Sequence, residues 1–225
     1  MISIIIPTYN AAAQIGPCLG ALVPGAVAGQ VRELILSDGG STDDIAKIAD
    51  GSGAQFIEGD KGRGGQLARG AATAKGPWLL FLHADTVLAD GWIDAVSQFV
   101  AEAHQGQAAC FTFALADPDP RARRVEKWAR RRARWFGLPY GDQGLLIHKQ
   151  HYQEIGGFPD MPLMEDVALI RRIRKRDLTI LPVEARTSPA RYRTDGYWFR
   201  PLKNIGLLAL YLVGVPARSL ARLYA

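Results

Sequence analysis

The stretch that most constrains the fold is Gly76–Thr86, with the sequence GPWLLFLHADT. Its apolar run, Trp78–Leu82, has no polar alternation, which is typical of a strand buried on both faces of a parallel sheet. The run ends at His83, Ala84 and Asp85. Because ligands of open α/β sheets bind beyond the carboxyl ends of the strands, this polar cluster is placed to meet a ligand. A plain turn capped by Asp85 is the alternative interpretation.

The chain repeats this order of apolar strand, polar loop and helix. Ile2–Ile6 ends at Pro7, and Val31–Leu36 is followed by Asp38, which on its own fits a turn equally well. Gln55–Ile57 is a weaker strand that leads into a glycine-rich loop over Gly59–Gln66 and then a helix through Arg69 and Ala74. This spacing predicts parallel βαβ units in an α/β three-layer sandwich. The polar clusters that follow the strands would then converge at one edge of the sheet, as a binding site requires.

The second half of the chain is less regular. Its pattern predicts two helices and two strands, over Gly91–Ala103, Pro118–Phe136, Ala108–Leu115 and Leu145–Ile147. A further helix is predicted over Val167–Lys175, with Glu165 and Asp166 at its start, where the helix dipole favours acidic residues. In the first half, Ser41–Asp44 fits the S-x-x-D signal for the start of a helix.

Length and composition fit one globular enzyme domain. The chain has 225 residues, enough for one sizeable core, and a net charge of +5. Cys18 and Cys110 have no metal-binding spacing, which predicts buried thiols in a reducing compartment. The amino terminus has no signal-peptide pattern, and no stretch reaches about 18 apolar residues. We therefore expect a cytoplasmic protein.

The glycine-rich loop does not match a dinucleotide fingerprint, because Leu67 stands where the third glycine is needed, and the Walker A pattern is absent. We interpret it as a flexible loop with three cations, Lys61, Arg63 and Arg69, that neutralise phosphates. Asp85 is the candidate ligand for Mg²⁺ or Mn²⁺, since these cations prefer carboxylate oxygens. Such a cation stabilises a departing diphosphate.

Four motifs, taken in order and spacing, resemble family 2 glycosyltransferases with the GT-A fold. They are PTYN at 7–10, SDGGSTD at 37–43, FLHADT at 81–86 and MED at 164–166. The resemblance extends from Ile2 to Lys175 and implies a nucleotide-diphospho-sugar transferase sandwich with a mixed, mostly parallel sheet. We assign this GT-A domain to residues 1–199 and a C-terminal amphipathic or apolar helix to residues 200–225. The RGxQ, HADT and GLPYGDQG segments resemble a short stand-alone subgroup labelled arsenosugar-biosynthesis or radical-SAM-associated glycosyltransferases, which implies a small acceptor.

The resemblance also implies roles for individual residues. Asp166 stands at the position of the catalytic base, with Glu165 as the neighbouring alternative. Asp142 and Gln143 are candidate acceptor residues, with a simple turn as the other interpretation. Thr8, Tyr9 and Asp38 are implied to hold the nucleoside, and Asp85 to touch the metal and the ribose. The predicted donor site comprises Pro7, Thr8, Tyr9, Asp38, Lys61, Arg63, Arg69, His83, Ala84 and Asp85.

The chain departs from the family pattern at His83, where the first acid of the D-x-D element usually stands. Loss of that carboxylate leaves the metal dependence open. His83 is either a ligand itself or a hydrogen-bonded neighbour of the metal site. The predicted activity is inverting transfer of a sugar from a nucleotide-diphosphate donor, UDP-linked by preference, to a small or lipid-linked hydroxyl acceptor. A nucleotidyltransferase and a catalytically silent sugar-nucleotide-binding partner protein are the alternatives.

Two further segments leave the partners open. Arg121–Arg134 contains seven arginines interleaved with Trp128 and followed by Trp135, but no nucleic-acid-binding motif accompanies it. Ile205–Val215 is an apolar run too short to span a bilayer. For the basic segment, a solvated helix face and peripheral contact with the inner face of the membrane are the interpretations. The apolar run either lies at that membrane surface, packs on the domain itself or forms a homodimer contact.

Overall fold

The computed structural model describes residues 1–224 of the chain and contains eight strands and ten α-helices. The strands are β1 Ile2–Thr8, β2 Val31–Asp38, β3 Gln55–Ile57, β4 Trp78–Phe81, β5 Thr86–Leu88, β6 Ala108–Leu115, β7 Leu145–His148 and β8 Leu178–Thr187. The helices are α1 Ala12–Val27, α2 Ile45–Ser52, α3 Arg63–Thr73, α4 Trp92–Glu102, α5 Pro120–Phe136, α6 Lys149–Glu154, α7 Glu165–Ile170, α8 Ala190–Asp195, α9 Phe199–Leu212 and α10 Ala217–Tyr224.

All eight strands form one sheet in the order β3-β2-β1-β4-β7-β6-β8-β5. β1 pairs in parallel with β2 and β4, and β2 pairs in parallel with β3. β7 then inserts antiparallel to both β4 and β6, while β6 and β8 pair in parallel and β5 closes the edge antiparallel to β8. The predicted α/β class with a mixed, mostly parallel sheet is confirmed.

β4 lies at the centre of the sheet and is buried on both faces, as its unbroken apolar sequence predicts. Leu80 packs in one core with α1, α2 and α4, together with Ile4 and Ile6 of β1. Leu79 and Phe81 face the opposite core, which α3, α6 and α7 cover. Helices therefore lie on both sides of the sheet, and the three-layer arrangement places the carboxyl ends of β1 and β4 side by side.

Several boundaries differ from the predictions. α2 begins at Ile45 and Ser41 does not cap it, because the Ser41 hydroxyl donates to Asp38 instead. The predicted helix over Val167–Lys175 stops at Ile170 and continues as tight turns, and Arg174 already has extended backbone. The apolar C-terminal segment forms two helices, α9 and α10, where one was predicted.

Two strands were not predicted, β5 and β8. β8 contains Pro182, which argues against a strand inside a sheet because proline cannot donate to the ladder. The structure accommodates the proline at an irregularity, where the pairing shifts from Phe111–Leu181 to Thr112–Glu184. The Thr112 hydroxyl donates to the Leu181 carbonyl at 2.9 Å and satisfies it at this break.

The two cysteines are buried free thiols, as predicted. Burial raises the pKa of each to about 12, which makes both thiols poor nucleophiles. Across residues 1–224, we find no helix with both the length and the apolar character needed to cross a membrane.

Candidate active site

A cavity of about 930 Å³ opens at the carboxyl ends of β1 and β4. Eleven of the predicted site residues line it: Pro7, Thr8, Tyr9, Lys61, Arg63, His83, Ala84, Asp85, Asp142, Glu165 and Asp166. Asp38, Arg69 and Gln143 lie behind this lining and act through their neighbours. The cavity thus brings the predicted donor residues and the predicted base into one space.

Asp38 organises the loop that follows β2. Its Oδ1 accepts from the hydroxyls of Thr8 at 2.8 Å and Ser41 at 2.6 Å, and its Oδ2 accepts from the backbone N–H groups of Gly40 and Ser41. Burial raises the pKa of Asp38, but these hydrogen bonds outweigh it and hold the pKa below its usual range. The carboxylate is therefore ionised and joins the ends of β1 and β2.

Gln66 and Arg69 fix the same strand ends from α3. Gln66 Nε2 donates to the carbonyls of Thr8 and Ser37, at 2.7 and 2.9 Å, and Arg69 Nη2 donates to the Asp38 carbonyl at 2.7 Å. α3 begins at Arg63, earlier than predicted and within the segment interpreted as a flexible loop, and it includes Arg69, where a helix was predicted. Arg69 thus points at a backbone carbonyl from a helix, which leaves Lys61 in the loop itself.

Lys61 and Tyr9 form one wall of the cavity. The Lys61 ammonium lies 3.7 Å from the centroid of the Tyr9 ring, within cation–π range. Tyr9 is 44% exposed, so its aromatic surface is open to a ligand. Next to it, Asn10 has a left-handed backbone and its amide oxygen accepts from the Thr42 N–H, which links the loops after β1 and β2.

Asp166 is held in a defined orientation. Its Oδ2 accepts from the Gly141 N–H and its Oδ1 from the Val167 N–H, both at 2.7 Å. Met164, two residues before Asp166, has φ of 66°, an unfavourable left-handed conformation for this residue type. Each carboxylate oxygen keeps a free lone pair, because one accepted bond does not saturate it. Strained backbone thus presents an oriented carboxylate to the cavity.

His83 packs directly against Gly141. A Cβ at position 141 would lie 2.8 Å from His83 Nε2, so only glycine allows this approach. Burial, together with the positive charges of Arg63 and Arg191, lowers the pKa of His83 to about 3. The imidazole is therefore neutral at pH 7 and adds no charge where the family pattern has a carboxylate.

Glu165 is buried, 2% exposed, and faces Arg63. Its Oε1 lies 3.3 Å from Arg63 Nη1, without the geometry of a hydrogen bond. Burial raises the pKa of Glu165, and the Arg63 charge opposes the rise. Part of the Arg63 charge is thus used to compensate a buried carboxylate.

Asp85 and Asp142 are two acidic residues of the cavity wall whose charges nearby arginines offset only in part. Burial raises the pKa of Asp142 to about 6, with Arg132 opposing and the carboxylates of Asp166 and Asp85 adding to the rise. Burial also raises the pKa of Asp85 against the charge of Arg191. Asp142 Oδ1 is buried and has no hydrogen-bond partner within residues 1–224. A cation placed between these groups would relieve both costs.

Gln143 is fully buried and serves the fold. Its Nε2 donates to the Phe111 carbonyl at 3.0 Å, while its Oε1 is 3.4 Å from both Arg132 Nη2 and the Tyr140 N–H. The Arg132 guanidinium stacks 3.3 Å from the centroid of the Tyr140 ring. These contacts shape the loop that carries Gly141 and Asp142.

The structure adds residues that the sequence patterns did not identify. α8, α9 and α10 place polar side chains from the C-terminal segment in the cavity wall: Arg191, Arg200, Asn204, Arg218 and Tyr224. The spacing of these residues carries no recognisable motif. Tyr140 was visible only as part of the GLPYGDQG segment. In the sequence, the apolar run Ile205–Val215 is the dominant feature of this segment. The polar side of α9 that lines the cavity was therefore not predicted.

The acidic residues of the cavity bear on whether it could hold a divalent cation. Within the described residues 1–224, three or more His, Cys, Asp or Glu side chains are nowhere grouped so as to hold a metal by themselves. Magnesium-type cations commonly bind through one or two carboxylates plus substrate phosphates. Asp85, with its charge only partly offset, fits that second pattern, in which the metal arrives with a nucleotide.

The sequence was then compared with known proteins. The family model described as Glycosyl transferase family 2 matches residues 3–159. The chain belongs to this family. Among curated family relatives, a PGL/p-HBAD biosynthesis glycosyltransferase of Mycobacterium bovis is 42% identical over 110 residues. The match covers 45% of this family 2 chain and 42% of the relative, so the chain spans less than half of the relative's length.

Solved structures agree with the family 2 fold. Staphylococcus aureus TarS, residues 1–349, has a TM-score of 0.65 at 15% identity, covering 84% of this chain and 60% of that one. Glucosyl-3-phosphoglycerate synthase of Mycobacterium tuberculosis, in complex with Mn²⁺, UDP and phosphoglyceric acid, has a TM-score of 0.63 at 19% identity. That match covers 96% of this chain and 79% of the synthase. The predicted GT-A architecture is confirmed, while the arsenosugar subgroup stays a prediction.

Proposed function

We propose that this chain transfers a sugar from a nucleoside diphosphate donor, UDP-linked by preference, to a hydroxyl acceptor, with inversion. One observation carries the proposal: a single cavity contains the Tyr9–Lys61 wall, the two acidic residues Asp85 and Asp142, and the oriented Asp166 carboxylate. Two proteins of the same fold support the donor class. TarS was solved with UDP-GlcNAc, and the mycobacterial synthase with UDP and Mn²⁺.

In the proposed reaction Asp166 takes the proton from the acceptor hydroxyl. The hydroxyl oxygen attacks the anomeric carbon, and the bond between that carbon and the diphosphate oxygen breaks on the opposite side. The electron pair of the broken bond leaves with the nucleoside diphosphate, whose charge Lys61 and Arg63 offset. Asp166 is favoured over Glu165, since Glu165 is already engaged with Arg63.

Asp85 is the residue proposed to hold Mg²⁺ or Mn²⁺, together with the diphosphate oxygens. When bound, the cation supplies positive charge to the leaving group. Tyr9 offers its open ring face to the base, and Thr8 fixes the end of β1 through Asp38. His83 also lines the cavity, and because its imidazole is neutral it adds no positive charge that would repel the cation.

The acceptor region is proposed to lie where the C-terminal helices complete the cavity. Arg200, Asn204 and Arg218 come from α9 and α10, and Asp142 comes from the loop before β7. This division gives the GT-A domain the donor and gives the C-terminal helices a share in acceptor selection. A small polar acceptor and the headgroup of a lipid-linked acceptor both fit such a wall.

The test is turnover. The chain is incubated with a panel of UDP-sugars and Mn²⁺, with and without simple hydroxyl acceptors, and released UDP is measured. Slow UDP release from one sugar nucleotide, accelerated by an acceptor, is the expected result. A nucleotidyltransferase would instead consume sugar 1-phosphate and a nucleoside triphosphate when these are supplied in a parallel incubation. Binding of UDP-sugars without any release of UDP would show a silent binding protein.

A further inference from the structure

The exposed tryptophans of this chain lie together. Trp128, Trp135 and Trp198 are 60%, 59% and 70% exposed, whereas Trp78 and Trp92 are buried in the core. Two of the exposed rings lie on α5 and the third directly precedes α9. Large exposed apolar groups scattered singly need no explanation, but a contiguous set marks an interaction surface.

α5 presents one face of alternating cations and indole rings. Arg124, Trp128, Arg131 and Trp135 are spaced by four, three and four residues, so they lie on one side of the helix. The Arg131 guanidinium is 5.7 Å from the centroid of the Trp135 ring. The opposite side is buried against β6 and consists of small residues: Ala122, Val125, Ala129 and Ala133.

The same surface continues onto α9. The Arg124 guanidinium is 5.5 Å from the centroid of the Trp198 ring, which joins the two helices. α9 then exposes Phe199, Leu202 and Ile205, which are 64%, 67% and 49% exposed. Its other side lines the cavity, so this helix turns its apolar side outward. We call the set of Arg124, Trp128, Arg131, Trp135, Trp198, Phe199, Leu202 and Ile205 the aromatic–basic surface.

The charge on this surface has little compensation. Glu126 is the single acid of α5, and it is buried against Arg123 and Arg130. The ion pairs found within residues 1–224 do not include Arg124, Lys127, Arg131 or Arg134. The partner must therefore bring negative charge together with an apolar phase that accepts indole and alkyl groups.

We infer that the aromatic–basic surface docks this chain on an anionic lipid bilayer. Indole rings favour the headgroup level, and basic residues near a bilayer attract anionic lipids. A self-complementary contact with a second copy is disfavoured, because symmetry would oppose one row of arginines to another. Nucleic acid would satisfy the arginines but would leave the apolar face of α9 in water.

Docking in this way has a consequence for the proposed function, and it rests on that function. α9 would contact the bilayer with Phe199 and Leu202 and line the cavity with Asn204 and Leu207. The cavity would then lie one helix away from the headgroups. An acceptor held in the bilayer could enter it without leaving the lipid surface. The docking itself does not depend on turnover and is tested separately.

The three exposed tryptophans are reporters for the test. The full chain is mixed with vesicles of phosphatidylcholine alone, or of phosphatidylcholine with phosphatidylglycerol, and tryptophan emission is recorded. We expect binding to the anionic vesicles with a blue shift of the emission, and quenching when the lipids carry bromine on their acyl chains. Binding should weaken with salt, because surface charges are screened.

Matched double variants separate this surface from net charge. Arg124→Gln with Arg131→Gln should weaken binding to anionic vesicles about 25-fold, at about fivefold per charge. Arg32→Gln with Lys75→Gln removes two exposed cations elsewhere and should change binding little. Trp128→Ala with Trp198→Ala should weaken binding to anionic vesicles measured by co-sedimentation, and circular dichroism checks that each variant is folded.

Three results would overturn the inference. They are equal binding to neutral and anionic vesicles, equal losses in the two charge variants, and binding without a blue shift or quenching. A dimer in lipid-free buffer that the Trp128 and Trp198 substitutions dissociate would assign the surface to a second copy instead. UDP release measured on the same preparations reports on the proposed function independently of vesicle binding.

Discussion

At the scale of single residues, the proposed transfer reaction depends on Asp166. Two backbone N–H donors orient its carboxylate, and strained backbone at Met164 holds the turn that presents it. The sequence predicted an acid here from the MED motif and the start of a helix. It did not predict the Gly141 N–H, which arrives from a loop 25 residues earlier. Contacts between distant loops have no local sequence pattern.

Asp166→Asn should lower the rate of sugar transfer by about 10²–10⁴-fold, because loss of a general base has effects of this size. The amide is nearly the same size, so UDP affinity should stay within about twofold of the parent. Steady-state turnover and calorimetric UDP binding measure the two quantities. Asp50→Asn, at an exposed position of α2, is the matched control. Transfer retained in the Asp166 variant would remove the base from the mechanism.

For His83, the sequence predicts only part of what the structure shows. Its departure from the family's acid is visible in the sequence, but its consequence is not. The structure shows a neutral imidazole packed against Gly141, while Asp85 and Asp142 supply the partly offset carboxylates of the same cavity. The charge of the site thus depends on how deeply each titratable group is buried. The residue type at one sequence position does not determine that burial.

At the scale of elements, the close packing of α3 against β1 depends on a glycine inside the helix. Gly70 lies inside α3, and a Cβ there would be 2.5 Å from Ile5 Cγ2 of β1. Because β1 carries Thr8 into the cavity, this contact also sets the distance between α3 and the site.

Gly70→Ala should therefore lower the free energy of unfolding by about 2 kcal/mol, through overpacking against β1. Gly20→Ala in α1 is the matched control, since nothing lies within 4 Å of the added methyl group. That change should raise the free energy of unfolding by about 1 kcal/mol, from helix propensity. Urea unfolding of both variants makes the comparison. Equal effects in the two variants would show that α3 does not pack as described.

Asp117 fastens the C-terminal segment to α5 and β6. Its Oδ2 accepts from Arg193 Nε at 2.8 Å and from the Tyr197 hydroxyl, and the Tyr197 ring packs among Phe113 and Val125. The hydrogen bonds from Arg193 and Tyr197 hold the pKa of Asp117 well below its usual range. A depressed pKa of this kind stabilises the fold above the ordinary aspartate pKa of about 4 and loses its effect as the pH falls.

Asp117→Asn should expose α9 and α10 to proteases, with roughly tenfold faster cleavage after Lys203 and Arg218 in limited trypsin digestion at pH 8. The protection factors of the same helices against hydrogen exchange, taken relative to the intrinsic rate at each pH, should be constant from pH 7 to about 4 in the parent and should fall below that. The asparagine variant should lack this acid step. Asp94→Asn, exposed on α4, is the control, and unchanged protection in the Asp117 variant would refute the fastening role.

The elements that the sequence predicted well are those with local causes. β6 spans Ala108–Leu115 and β3 spans Gln55–Ile57, both as predicted, because apolar runs between turns define both strands. β8 was missed because Pro182 breaks the pattern, and only its partner β6 shows that the break is an irregularity in pairing. Likewise, α7 ends early because tight turns, which periodicity does not reveal, bring Ile173 into the core.

At the scale of the whole molecule, the first half follows from simple βαβ rules and the second does not. Parallel neighbours joined by helices are predictable from alternation. The insertion of antiparallel β7 between β4 and β6 requires long-range pairing that has no signal in the order of elements. This insertion brings Gly141 and Asp142 to the cavity, so half of the candidate site depends on the less predictable half of the fold.

The most direct test of the account is a calorimetric titration of UDP into the chain, with and without Mn²⁺, for the parent and for Asp85→Ala. Asp90→Ala, an exposed acid five residues away, is the matched control. If Asp85 holds the metal, Mn²⁺ should strengthen UDP binding at least about tenfold in the parent and the control. No such gain is expected in Asp85→Ala. UDP binding that is indifferent both to Mn²⁺ and to Asp85 would contradict the assignment of this cavity as a metal-assisted donor site.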